Sequence, residues 1–205
     1  MKTTFKMALC LFVLFSFAFT QTPIHKKQGI TVVIDVAHGG IDAGVEIGYA
    51  SEKDLLLEIA DKINAATKRE HTKIYFTRTG DENPSLKDRL ALIKTFKPDV
   101  VISLHINTHV DTSLEGAEII LAENSPTYLK SVGIAEKLKL AFHTSEVFEK
   151  ITIKDANHYL LKNLKVPAVT LELGYLSNAS DLLILTSEEG QYQIAETIVE
   201  AIESF

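Results

Sequence analysis

The sequence predicts an α/β fold: a single three-layer domain in which a mostly parallel, mixed central sheet is flanked by helices. Three features predict it. Apolar, β-branched runs alternate with stretches whose apolar residues recur at helical spacing. No repeat, low-complexity tract or linker interrupts the chain, so one core is expected. Three of the apolar runs end in residues of metal or acid–base chemistry: Thr31 to Ala37 delivers His38, Val100 to Leu104 delivers His105, and Ala168 to Leu171 delivers Glu172. Ligands of such sheets sit beyond the carboxyl ends of the strands, so these side chains are expected on one rim.

Residues 1–20 read as a signal peptide. Lys2 and Lys6 make a positive start, and Met7 to Phe19 is an almost unbroken apolar run. That run is short for a membrane span, which needs about 20 apolar residues. An uncleaved N-terminal anchor is the competing reading; a lipid on Cys10 fits less well, because bulky Leu9 precedes it. Removing Lys2 and Lys6 from the 21 basic residues leaves 19 against 27 acidic ones, a net charge of −8, and no cysteine. An exported protein, periplasmic or secreted, is therefore expected, with no stable membrane span once the signal is gone. The acidic balance argues against a nucleic-acid partner, since no basic stripe is available to meet phosphates. Residues 21–28 form a polar lead-in, and 29–205 the folded domain.

Thr31 to Asp35 is predicted as a strand buried on both faces. Ala37 to Ala50 is a loop carrying Gly39, Gly40, Gly44 and Gly48, an irregular backbone that approaches something closely. Ser51 is the expected N-cap of a helix running to about Arg69, with Glu52 and Asp54 in its first turn, where acids suit the dipole. Lys73 to Arg78 is the next strand, and Ser85 caps a helix through Lys97. Val100 to His105 is the second central strand, and Thr108 to Glu115 a polar loop. Gly116 to Ala122 is a strand expected toward an edge. Ser125-Pro126 starts a helix to about Phe142. Thr144 to Asn157 carries no clear pattern, and His158 to Lys162 reads as a short strand. Pro167 precedes the last core strand, Ala168 to Leu173. Asn178 to Leu185 and Glu188 to Phe205 are helices.

Two imidazoles and a carboxylate form a known catalytic zinc set, and three protein ligands leave a fourth position for water. Four segments carry the chemistry: Ile34-Asp35-Val36-Ala37-His38-Gly39-Gly40, Ser51-Glu52-Lys53-Asp54, Ser103-Leu104-His105-Ile106-Asn107, and Glu172-Leu173-Gly174-Tyr175-Leu176-Ser177-Asn178. In this order they resemble the motifs of the zinc-dependent N-acetylmuramoyl-L-alanine amidases (the amidase-3 family), over about Gly29 to Phe205. The resemblance implies that 29–205 is a zinc amidase catalytic domain. It implies that His38, Glu52 and His105 hold one Zn2+ and that Glu172 is the catalytic carboxylate. It further implies peptidoglycan as substrate, cut between the lactyl group of N-acetylmuramic acid and L-alanine of the stem peptide. Two departures stand out. Val36-Ala37 replaces the usual Pro-Gly before the first His, and Lys162 stands where an Arg is common.

The residues suit that chemistry on their own terms. A zinc-activated water needs a proton shuttle to cleave an amide, and Glu172 is placed to take the water proton and return it to the departing amine. Asn107 is a candidate to hydrogen-bond substrate, and Asp35 to orient a ligand histidine. Each residue also has a plainer explanation. Glu52 can serve the helix dipole, and Glu172 can cap the loop at Gly174. His109 leaves a strand and reads as a loop residue. His25, His71, His143 and His158 read as surface or packing residues, and Arg78 and Arg89 as structural or solvated ones. A zinc carboxypeptidase or endopeptidase of the stem peptide, and a non-catalytic wall-binding protein, are the rival functions. Between His105 and Glu172 the stretch Thr144 to Asn157 is too short for an inhibitory insert beside the helix before it, so no obligatory activator is expected.

Overall fold

The computed structural model describes residues 29–68 and 71–205; the expected signal peptide and polar lead-in lie outside the described residues. Among the described residues, eight strands and six helices follow in order: β1 (Ile30–Val36), β2 (Glu46–Ile47), β3 (Ala50–Ser51), α1 (Glu52–Ala66), β4 (Thr72–Phe76), α2 (Leu86–Phe96), β5 (Val100–Asn107), β6 (Ala117–Leu121), α3 (Tyr128–Ser145), β7 (Ile151–Asp155), α4 (Tyr159–Asn163), β8 (Ala168–Tyr175), α5 (Ala179–Thr186) and α6 (Glu188–Glu203). The main sheet has the order β4-β1-β5-β8-β6-β7. Pairing is parallel throughout except between β6 and β8, so the expected mixed, mostly parallel sheet of a three-layer α/β domain is present. A small antiparallel hairpin, β2–β3, leads into α1.

Side chains alternate across a strand, and the two faces of this sheet differ. Val32, Ile34, Ile102, Leu104, Val169 and Leu171 belong to the larger apolar cluster, which α1, α3 and α6 cover. Val33, Val101, Ile120 and Ala168 belong to the smaller one, covered by α2 and α4 with Leu90, Ile93, Leu160, Leu161 and Leu164. Continuing the smaller face by twos brings Asp35 after Val33, Ser103 and His105 after Val101, and Thr170 and Glu172 after Ala168. The chain thus turns polar on one face at the carboxyl ends of three adjacent strands.

Two expectations are corrected here. His158 to Lys162 is not a strand; Tyr159–Asn163 is a short helix, because Leu160, Leu161 and Leu164 at helical spacing fill the smaller apolar cluster. The strand lies earlier, at Ile151–Asp155, inside the stretch without a clear pattern. It pairs in parallel with β6 and forms the edge of the sheet, so β6 lies toward that edge as expected, one strand in. Helix α3 also starts later than Ser125, at Tyr128, and runs past Phe142 to Ser145. Among the described residues no helix is long and apolar enough to cross a membrane.

Candidate metal centre

Strand β1 ends where the backbone must leave the sheet, and His38 takes a left-handed conformation (φ 58°) that non-glycine residues rarely adopt. Two buried guanidiniums hold this exit. Arg78 donates from Nε to Val36 O at 3.1 Å and from Nη2 to Ala37 O at 2.9 Å. Arg89 donates from Nη2 to His38 O at 2.5 Å and from Nη1 to Val36 O. Three successive carbonyls are therefore satisfied by side chains, as buried acceptors require. Arg78 and Arg89 are 4% and 3% exposed, so neither is solvated.

Asp35 is part of this support. Its Oδ1 accepts from Thr77 Oγ1 at 2.8 Å and Arg89 Nη1 at 3.0 Å, and its Oδ2 from Ser103 Oγ at 2.6 Å. Neither oxygen reaches an imidazole, so Asp35 does not orient a histidine ring directly; it fixes Arg89, which fixes the His38 carbonyl. The ring of His38 is oriented instead by Asp42, whose Oδ2 lies 2.9 Å from Nδ1. A carboxylate on the far nitrogen is a common arrangement behind a metal-bound histidine.

Glu52 opens α1 with Ser51 as N-cap, as expected. Its carboxylate is almost fully buried. Oε1 accepts from Ile106 N at 2.9 Å and Oε2 from Val45 N at 2.9 Å. Oε1 also lies 3.1 Å from His38 Nε2 and 3.3 Å from His105 Nδ1. Burial pushes this carboxyl up, but the two histidines and the Ile106 N–H outweigh it and hold it at about 2. The His38 imidazole is raised above its ordinary value, chiefly by its hydrogen bond to Glu52, against the opposing effect of burial.

His38, Glu52 and His105 thus bring three ligand atoms within 4.8 Å of one another. Zinc bonds of about 2.0–2.1 Å in tetrahedral geometry set neighbouring donors about 3.3 Å apart, and the observed 3.1 and 3.3 Å separations fit that spacing. The donor set, two neutral imidazoles and a carboxylate, is one zinc favours.

Glu172 faces His105 across the β5–β8 ladder, the two being Cα partners. Burial raises its carboxyl above the ordinary range, Glu52 and Glu118 adding to the rise and His105 opposing it. Glu118, the partner of Glu172 on β6, was not singled out from the sequence. It accepts from Tyr175 OH at 2.7 Å and from Asn107 Nδ2 at 3.2 Å, and pairs with Lys154 at 2.6 Å. Asn107 Oδ1 accepts from Thr108 N, so both ends of that amide are engaged within the protein. His109 stands apart in the following loop, its Nδ1 accepting from Asp111 N.

His158, read from the sequence as a surface or packing residue, is half-buried, 6.5 Å ring to ring from His105, and lines a cavity of about 330 Å³ together with His38 and His105. No local spacing marks His158; Asp42, four residues beyond His38, carried at least the signal of proximity.

Comparison with known proteins agrees with this architecture. The structure superposes on an N-acetylmuramoyl-L-alanine amidase of Clostridium difficile with a TM-score of 0.79 at 30% identity, covering 86% of this chain and 96% of that one. On the catalytic domain of CwlV, an N-acetylmuramoyl-L-alanine amidase of Bacillus (Paenibacillus) polymyxa, the TM-score is 0.77 at 28% identity, with 85% and 97% covered. In sequence, YqiI of Bacillus subtilis is 29% identical over 178 residues, spanning 87% of this chain and 85% of its own. The probable cell wall amidase LytH of Staphylococcus aureus is 28% identical over 181 residues, 87% of this chain but 59% of LytH. The model of the N-acetylmuramoyl-L-alanine amidase family matches residues 32–204, and the chain belongs to that family.

Proposed function

We propose that this protein is an exported, zinc-dependent peptidoglycan hydrolase that cleaves the amide between the lactyl group of N-acetylmuramic acid and L-alanine of the stem peptide. The observation that carries the reading is the His38–Glu52–His105 donor set beside Glu172. One Zn2+ held there would supply Lewis acidity and a water far more acidic than bulk water. Glu172, with its carboxyl raised by burial, takes the proton of the attacking water and delivers it to the amine of L-alanine as the C–N bond breaks. Its half-buried position limits competing solvent protons. Asp42 keeps His38 in the tautomer that leaves Nε2 free as a ligand. Arg78 and Arg89 hold the strand exit that aims this histidine.

The first 20 residues, a basic start and an apolar run, support export. Peptidoglycan is the partner, with neither nucleic acid nor a membrane span expected. No obligatory activator is expected, because the segment following α3 is taken up by β7 and α4, which belong to the domain itself.

Metal analysis of the purified protein and mass spectrometry of digested wall test this reading. Equimolar zinc and free stem peptides with an N-terminal alanine, beside bare glycan, are the expected result. Shortened peptides still joined to muramic acid would identify a zinc peptidase instead. Glu172→Gln keeps its zinc and loses at least about a hundredfold in turnover, the usual contribution of a positioned acid–base group; wild-type turnover in that variant refutes the role.

A further inference from the structure

We propose that the cavity between α2 and α4 receives the stem peptide, and that His158 positions it by donating a hydrogen bond to one of its amide carbonyls. The inference rests on the amidase reading. Peptidoglycan offers two chemically distinct parts beside the scissile bond: a glycan strand that continues in both directions, and a peptide branch that ends when it is not cross-linked. A continuing polymer needs an open trough. A branch with a free end fits a pocket closed at its far side.

The cavity is of the second kind. The metal-ligand candidates His38 and His105 line it together with Asp35 and Ser103, which are each 1% exposed on the sheet, so it reaches from the candidate metal centre down to a floor closed by the sheet. Leu86 at the start of α2 and Tyr159 and Leu160 of α4 form the walls. About 330 Å³ stands at the low end of small-ligand pockets, enough for a short peptide and too little for peptide and disaccharide together.

The polar atoms of the floor are already used. Asp35 is saturated by Thr77, Arg89 and Ser103, so the floor presents no free charge. His158 differs. Its Nδ1 lies 3.0 Å from Thr170 Oγ1, and among the described residues that contact is the only hydrogen bond of the Thr170 hydroxyl. With that hydroxyl donating to Nδ1, the ring proton lies on Nε2. In that tautomer Nε2–H has no hydrogen-bond acceptor among the described residues, and the His158 ring lines the cavity. Peptide carbonyls are the acceptors a stem peptide brings, and a donor fixed by Thr170 and by the start of α4 holds one without losing side-chain freedom on binding.

Calorimetric titration of the zinc-loaded protein with a free stem peptide beginning in L-alanine tests this directly. Wild type binds. His158→Phe, which fills the site but removes the donor, weakens binding about tenfold, the scale of one hydrogen bond. His158→Gln, whose amide nitrogen replaces Nε2, stays within about threefold. On soluble uncross-linked muropeptides the Phe variant raises KM by the same factor and leaves kcat and zinc content near wild type. Wild type also processes cross-linked dimers at least about tenfold less efficiently than free stems. Equal peptide affinity in all three proteins, or equal efficiency on dimers and free stems, overturns the assignment. If no amide is cut while the graded binding persists, the cavity assignment is supported and the proposed reaction fails.

Discussion

Gly44→Ala separates the metal centre from the fold around it. Gly44 has φ +66°, and a Cβ added there would meet Glu52 Oε2 at 2.4 Å, His38 Cδ2 at 2.8 Å and Glu52 Cβ at 2.9 Å. Ordinary contact begins near 3.4 Å, so the carboxylate must retreat by about 1 Å. Zinc sites tolerate about 0.2 Å of ligand displacement. The displaced carboxylate also loses its hydrogen bond from Val45 N. A left-handed alanine costs about 1–2 kcal/mol in the metal-free protein. Zinc affinity is expected to fall at least about a hundredfold. Because a ligand stabilises only the state that binds it, that loss removes about 2.7 kcal/mol of the zinc-dependent stabilisation at saturating metal. Chelator-competition titration reads the affinity, and thermal melts with and without zinc read the two stabilities. A variant that binds zinc within about threefold of wild type refutes the argument that Gly44 is required by the approach of Glu52.

Arg89→Met strands the buried Asp35 carboxylate and is expected to cost about 3–5 kcal/mol in urea denaturation, with much of the loss recovered in the Asp35→Asn, Arg89→Met double variant. Asp42→Asn leaves the fold intact and lowers zinc affinity about 10- to 100-fold in the same chelator titration, because the His38 ring loses its carboxylate partner. The metal-free protein and the zinc site respond to pH in opposite directions. His38 has a raised value in the folded state, so its contribution to metal-free stability is present below its unfolded value of 6.5 and is lost as pH rises through the raised one. Zinc needs the unprotonated ring, so the zinc-dependent rise in Tm shrinks as pH falls through that raised value, and melts from pH 8 to pH 5 show both trends. Glu52 contributes above its unfolded 4.5, and that contribution is lost only as pH falls toward about 2.

The parts legible from the chain were those with a local cause. Ser51 caps α1 because its hydroxyl accepts from Asp54 N, and Ser85 does the same for α2 with Asp88 N. Strands β1, β5 and β8 show as mostly apolar runs because both of their faces are buried. The edge of the sheet was not legible. In Ile151–Asp155 only alternate residues are partly buried, which leaves a weak signal, and the leucines after His158 read as a strand although the cluster they fill calls for a helix. The supports of the centre were hidden for another reason. In sequence Arg78 and Arg89 read as structural or solvated alike, and the carbonyls that hold them buried, of Val36, Ala37 and His38, lie about 40–50 residues earlier.

By itself the sequence determined the α/β class, the order of the central strands' chemistry and the four residues to watch, because strand ends and helix starts are set by short-range pattern and capping. Only the tertiary structure decided which carboxylate orients His38, where Asp35 directs its charge, that Glu118 stands beside Glu172, and that His158 faces the same cavity as His38 and His105. These are contacts across strands and loops, made when the sheet assembles, and nothing in the local chain energetics specifies them.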